Sequence, residues 1–507
     1  MSREPRRTGE PDGASAEDGS TTADPGTPPA AAPGAGGAVE VKGDEDRPAT
    51  YREVFRVREY RAVFGASTLS WIGDYFARVA VTYLIFSDTK SVWLSAAAFA
   101  ISYLPWVAGG PVLAAISERY PYRRVMIVCD LTRMALVALL AIPAVPLWLL
   151  LGLLFLSSLL NPPAQSARSA MLPLILKGDR YVVGLSVQAM VAQAAQVSGY
   201  AAGGLFAALV SPRAALLVDS ATFALSAVLI WRGVRPRPPA MTEEHRSHLL
   251  RETAEGFRVV FGDPVMRAIA LLVFALVSVI IVPEGLAVAW SGELGGEAWR
   301  AGLMMASIPF GYVIGGLVVG RMLSPSTRLK LIRPLAVLVP LALIPAVLQP
   351  PFEVVLLLGL VAGFGNAVLM PLNGLFVQVL PNPYRARAFG IMQGGMQVLH
   401  AAAVMLTGAI AGRFPVPVVV GVWSFAGMAL IVFAAARWPS GGVIDGEIEQ
   451  AKLVNEPRPA ARNETRQKSR TTREQHWAKA GALRGPRRQR GGDPFGTDAD
   501  SSQPVRL

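Results

Sequence analysis

The sequence predicts an all-α membrane protein of twelve transmembrane helices arranged as two six-helix bundles. Three observations carry this. Residues 60–437 read as about twelve apolar stretches, each about twenty residues long, separated by short polar breaks. A longer charged segment, residues 232–267, divides them six and six. Basic residues cluster in alternate breaks. A bilayer core ~30 Å thick takes ~20 apolar residues per spanning helix. Two halves around a central loop are the plan of a transporter. The expected function is movement of a solute, not chemistry on one.

Composition excludes the main rivals. Hydrophobic residues make up 52% of the chain and charged residues 17%, against ~25% charged in soluble domains. Soluble helices keep a polar face, and stretches such as residues 147–160 have none. The net charge of +12 lies in the breaks, so it points to a membrane surface and not to nucleic acid. The basic breaks hold Arg119, Arg123 and Arg124, then Lys177 and Arg180, then the central loop, then Arg321, Arg328, Lys330 and Arg333, and last Arg385 and Arg387. The intervening breaks carry Lys90, Arg213, Arg300 and Arg413 singly. This alternation places both termini and the central loop in the cytoplasm of a multi-pass plasma-membrane protein. The single cysteine, Cys129, forms no intramolecular disulfide, and four scattered histidines suggest no metal or other cofactor.

Taken in order, the expected spans are residues 60–86, 92–117, 125–142, 147–172, 182–209 and 214–231 in the first half. In the second half they are 266–290, 299–322, 329–348, 354–380, 386–412 and 416–436. Pro105, Pro309, Pro340 and Pro371 fall within spans, where a proline removes one intrahelical hydrogen bond. The fifth span (Gly199, Gly203, Gly204) and the eighth (Gly311, Gly315, Gly316, Gly320) are dense in small residues that let helices approach closely. The domain plan is a polar N-terminal tail (1–50), an N-terminal bundle (51–232), a central cytoplasmic loop (233–264), a C-terminal bundle (265–437) and a basic C-terminal tail (438–507). Both tails are expected to be disordered.

Ionisable residues inside spans carry the functional argument, because each costs at least ~2.5–3.5 kcal/mol at a bilayer centre unless paired or hydrated. Asp74 lies halfway along the first span, and Arg78, four residues on, shares its helical face. Asp74 either loads and releases a proton in a central cavity, with Arg78 modulating it, or forms a static pair with Arg78. Asp219 in the sixth span and Glu284 in the outer part of the seventh either line the external mouth or carry a proton, or sit hydrated or capped near the outer interface. Gln188, Gln193 and Gln196, with Gln393 and Gln397, are candidate hydrogen-bonding groups for a substrate or for interhelical packing. Glu118 followed by Arg119, Arg123 and Arg124 can lock the cytoplasmic side through ion pairs, with Asp130 and Arg133 of the next span as partners.

This loop resembles a signature of the major facilitator superfamily, Gly-x-Leu-Ala-Asp-Arg-x-Gly-Arg-Lys. Glu118 stands at its Asp, Arg119 at its Arg and Arg123 at its Lys, while Ala114, Pro121 and Tyr122 depart from it. Gly73-Asp74 with Arg78, Asn161-Pro162-Pro163 with Arg168, Asp219 with Thr222-Phe223, Pro283-Glu284-Gly285 and the stretch from Tyr384 to Gly390 resemble the bacterial drug- and siderophore-exporter-like branch. The resemblance implies two pseudosymmetric bundles, a central cavity and alternating access, and it places Arg168 with the cytoplasmic gate. The Gly-Pro pair that antiporters of the superfamily often carry in the fifth helix is replaced by Gly199-Tyr200.

The reading is a secondary transporter that exports a small organic molecule, a drug-like compound or secondary metabolite, in exchange for protons, and acts as a monomer in the lipid bilayer. The alternatives are an importer or uniporter, and a non-transporting receptor or scaffold on the same fold. No ATP-binding phosphate loop and no His-Glu-x-x-His or Gly-x-Ser-x-Gly motif occurs, so the sequence carries no sign of an enzyme.

Overall fold

Every regular element in the computed structural model is helical among the residues it describes, 49–106, 119–143, 145–238 and 249–455. A short α1 (Tyr51–Arg56) precedes α2 (Arg58–Thr89) and α3 (Val92–Ile101). Lys90 ends α2 in the left-handed conformation, and the Ser91 hydroxyl accepts from the Leu94 amide to start α3. Then come α4 (Tyr122–Leu140), α5 (Leu147–Leu159), α6 (Asn161–Ile175), α7 (Asp179–Leu209) and α8 (Pro212–Gly233). Ser211 caps α8 through the Ala214 amide, with Pro212 at the first helical position. The central segment, expected as a loop, holds α9 (Leu249–Gly262), and α10 (Pro264–Glu293) follows it, capped by Asp263 through the Met266 amide. Helix α11 (Ala298–Leu317) continues as a π turn, Val318–Met322. A short α12 (Pro325–Lys330) leads to α13 (Ile332–Leu343), which tightens into a 3₁₀ turn, Ile344–Leu348. The chain closes with α14 (Phe352–Asn366), α15 (Leu369–Val379), α16 (Arg385–Ala411), α17 (Val416–Ala436) and α18 (Gly441–Asn455).

Seven of these segments are long and apolar enough to cross a membrane: Leu147–Ile175, Pro212–Gly233, Pro264–Glu293, Ala298–Met322, Phe352–Val379, Arg387–Ala411 and Val416–Ala436. Val92–Ile101 and Ile332–Leu348 are apolar but shorter. The expected first, third and fifth spans fall on α2, α4 and α7. Asp74 and Arg78 on α2, Asp130 and Arg133 on α4, and the glutamines of α7 dilute the apolarity of these helices. Residues 107–117 of the expected second span lie outside the described residues, as do both extreme tails and 239–248 of the central loop.

Residues 441–455, expected within the disordered C-terminal tail, instead form α18. Ile444, Ile448 and Ala451 recur on one face at helical spacing, and α18 lays that face against α15 and α10. Pro309 and Pro340 lie inside helices as expected, and Pro173 and Pro283 do so as well.

Within the earlier part of the chain α2 packs on α7 and α8, and α4 on α8. In the later part α11 packs on α14, α10 on α16 and α17, and α13 on α14. The two parts meet along α7 with α11 and along α3 with α16. Glycine makes the first of these contacts possible. A Cβ on Gly204 would stand 2.6 Å from the Gly302 Cα, so the two backbones touch. At the far end of α2 the Tyr83 hydroxyl donates to the Gly296 carbonyl, 2.9 Å away, in the turn between α10 and α11.

Candidate functional site

Helices α2, α4 and α8 place four ionisable side chains around one small cavity, and one of the four, Arg78, also lines a second. Asp74 accepts a hydrogen bond from Arg133 Nη2 and forms an ion pair with it. Arg133 is 4% exposed, and its guanidinium also stacks 4.2 Å over the Phe223 ring. Asp219 is buried on α8, with Thr222 Oγ1 3.2 Å from its Oδ1. Asp74, Arg133, Asp219 and Arg78 line one small cavity of about 50 Å³. Gly73 permits this cluster, because any Cβ there would overlap the Asp219 carboxylate and the Thr222 hydroxyl.

Arg78 also lines a second cavity of about 400 Å³, bounded by α2, α7, α10, α11, α14 and α16. Its Nη1 donates to Tyr103 Oη at 3.2 Å and to Tyr200 Oη at 3.3 Å. The guanidinium carbon lies 5.4 Å from the ring centroids of Tyr75, Phe99 and Tyr103. The Tyr200 hydroxyl in turn donates to Glu284 Oε1. A hydrogen-bonded chain therefore runs from α2 through α7 to α10, joining the two parts of the molecule. His400 packs its ring 5.1 Å from Tyr103 and lies 3.2 Å from Gln397 Oε1. The Asn366 Oδ1 is buried without a hydrogen-bond partner among the described residues, on a residue that lines the same cavity. Such a wall, aromatic with a few polar groups, is the ordinary make-up of a small-molecule site.

A second charge cluster lies on the side of α2 near its start. Arg168 donates to Asp130 Oδ1 at 3.0 Å and to Ser70 Oγ at 2.9 Å, and Ser226 donates to Asp130 Oδ2 at 2.6 Å. Asp130 is fully buried and Arg168 is 4% exposed. The pair ties α2, α4, α6 and α8 together.

These placements revise several expectations. Asp74 and Arg78 share a helical face, but the acid turns to α4 and the arginine to the tyrosines. Asp130 and Arg133 do not pair with the loop arginines among the described residues. Arg123 donates to the Trp231 carbonyl at 2.5 Å, Arg119 and Arg124 are exposed, and Glu118 lies outside the described residues. Glu284 is 6% exposed and Asp219 1%, and each lines a cavity between helices. Gln193, Gln196 and Gln397 line the larger cavity, while Gln188 is half-buried elsewhere and Gln393 is exposed. Sequence reasoning passed over Tyr75, Tyr103, Tyr200, Asn366 and His400. Polar aromatic residues in otherwise apolar spans were the available signal.

A sequence profile of the Major Facilitator Superfamily matches residues 63–382. The chain belongs to the major facilitator superfamily. The fold is also similar to solved transporters of this kind. The nucleoside transporter NupG, in a mutant form, aligns at 13% identity and a TM-score of 0.62, covering 75% of this chain and 100% of that one. A bacterial homologue of the human lysosomal transporter Spinster, inward-facing and occupied, aligns at 14% identity and 0.59, covering 82% and 100%. A POT family transporter in complex with a thioalcohol-conjugated peptide aligns at 12% and 0.61, covering 75% and 96%. No curated protein matches the chain. Membership in this superfamily makes the molecule a multi-pass membrane protein of the transporter kind and not an enzyme.

Proposed function

We propose that the chain exports a small organic molecule by alternating access, in exchange for protons. Twelve helices cross the plasma membrane in this reading, six on each side of a central loop. Both termini lie in the cytoplasm, and one copy suffices. The observation that carries the proposal is the position of Arg78 in the wall of both cavities. It joins a cluster suited to protons to a space suited to a solute.

The charge count supports proton coupling. Asp74, Asp219 and Glu284 are three carboxylates, and Arg78 and Arg133 are two guanidiniums. Asp130 and Arg168 balance each other. An unpaired charge in the bilayer is expensive, and one bound proton brings the network of five to neutrality. A solute in the larger cavity that displaces the Tyr103 or Tyr200 hydroxyl from Arg78 disturbs the same network, so solute and proton compete for one electrostatic balance. The bond between Tyr83 and Gly296 closes the end of α2 away from the termini, which suits a state sealed toward the outside.

The test uses purified protein in liposomes with a trapped pH-sensitive dye and an imposed proton gradient. Candidate lipophilic compounds and natural products are added singly. Substrate-dependent proton movement out of phase with solute flux supports exchange. Solute flux that ignores the proton gradient supports the uniporter alternative, and proton and solute moving together supports import.

A further inference from the structure

A groove of about 650 Å³ lies apart from the transport cavities, between α10, α16 and α17. Its walls are apolar, with Leu271, Phe274, Leu399, Leu430 and Phe433 facing into it. Leu271 is 50% exposed, Leu430 52% and Phe433 53%, so the groove opens sideways to the bilayer. On α10 the lining runs from Pro264 to Ser278, with Arg267 near its charged end. The eleven steps from Arg267 to Ser278, at 1.5 Å each, put about 16 Å of lining beyond the arginine, close to the ~15 Å of one leaflet's hydrocarbon.

Two arginines stand at one end. Arg267 lies in the first turn of α10, and Arg437 follows the last residue of α17. Both line the groove, both are exposed, and neither has an ion-pair partner among the described residues. Arg267 makes a 3.4 Å contact to the Phe261 carbonyl, and Arg437 stacks 4.2 Å over Phe433. The nearby Asp263 carboxylate caps α10 through the Met266 amide, and among the described residues it neither lines the groove nor forms an ion pair with these arginines. An apolar trough with two arginines at its mouth and no carboxylate among its lining residues is complementary to one kind of membrane component.

We propose that this groove is a docking site for an anionic phospholipid, its acyl chains along α10 and α17 and its phosphate between Arg267 and Arg437. A zwitterionic lipid offers the same chains, but its own cation opposes the arginines.

The experiment incubates the full chain in detergent with equal amounts of phosphatidylglycerol and phosphatidylethanolamine. The lipid retained on the intact protein is then weighed by native mass spectrometry. The expected result is retention of phosphatidylglycerol over phosphatidylethanolamine by about thirtyfold, five- to sixfold per arginine. The preference should vanish in the Arg267→Gln/Arg437→Gln variant and persist in Arg413→Gln, which alters an exposed arginine outside the groove. Ala434→Trp, which fills the groove and leaves both arginines, should reduce retention of both lipids. Equal retention of the two lipids by the unaltered protein, or a preference unchanged in the double variant, overturns the proposal. So does a dimer that forms in detergent, retains no lipid and is broken by Ala434→Trp, because the groove is then an interface between copies.

Discussion

Asp74 pairs with Arg133 on a neighbouring helix and not with Arg78, one turn along its own. That choice organises the site. It frees Arg78 to hold the hydroxyls of Tyr103 and Tyr200 and sets its guanidinium between the two cavities. It also leaves α2 with two separate electrostatic roles a single turn apart.

Tyr200 is the joint between the parts of the molecule. Tyr200→Phe removes one hydroxyl and leaves both Arg78 Nη1 and Glu284 Oε1 short of a partner. Each lost bond of a buried charged group costs about 1.5–3 kcal/mol. Substrate-driven proton movement is expected to fall at least about tenfold while the protein still folds and inserts. Flux assays beside size-exclusion profiles check this.

The Asp130–Arg168 pair is structural in this account. Arg168→Gln leaves a fully buried carboxylate with only the Ser226 hydroxyl, and the expected cost is about 3–5 kcal/mol. Asp130→Asn combined with Arg168→Gln should recover most of that loss. Thermal unfolding in detergent reads both variants.

Close backbone contact between α7 and α11 leaves no room for a side chain at Gly204. Gly204→Ala forces the new Cβ against the Gly302 Cα and, at 2.7 Å, against the Ala298 carbonyl. The expected destabilisation is about 1–3 kcal/mol. Gly152→Ala, which meets nothing within 4 Å, should be neutral. The same unfolding measurement compares them.

Tyr83→Phe deletes the bond to the Gly296 carbonyl at the end of α2 remote from the termini. The expected consequence is easier opening at that end. Labelling of a cysteine placed in the larger cavity, by a reagent confined to the outside, should speed up relative to the unaltered protein.

The fold was largely legible from apolar run lengths, because a bilayer imposes one length on every span. It was least legible on α2, α4 and α7, where charged and polar residues interrupt the runs. The α18 helix was hidden for a different reason. Its apolar face holds only a few residues within a polar sequence, and packing against α15 and α10 gives that face its partner.

For the site, single-helix spacing put Asp74 and Arg78 together, whereas their partners come from α4 and α7, and sequence distance carries no information on such contacts. Asp219 and Glu284 were found by their charge. The tyrosines, Asn366 and His400 were missed because neutral polar side chains are ordinary packing groups until a cavity is seen beside them.

Proton coupling through the Asp74 cluster is the central claim. Its most direct measurement compares the unaltered protein with Asp74→Asn in dye-loaded liposomes, with equilibrium binding of the same compound measured alongside. The account predicts that Asp74→Asn abolishes substrate-dependent proton movement while binding changes by less than about tenfold, because Asp74 lies outside the 400 Å³ cavity. Full proton movement in Asp74→Asn would contradict it.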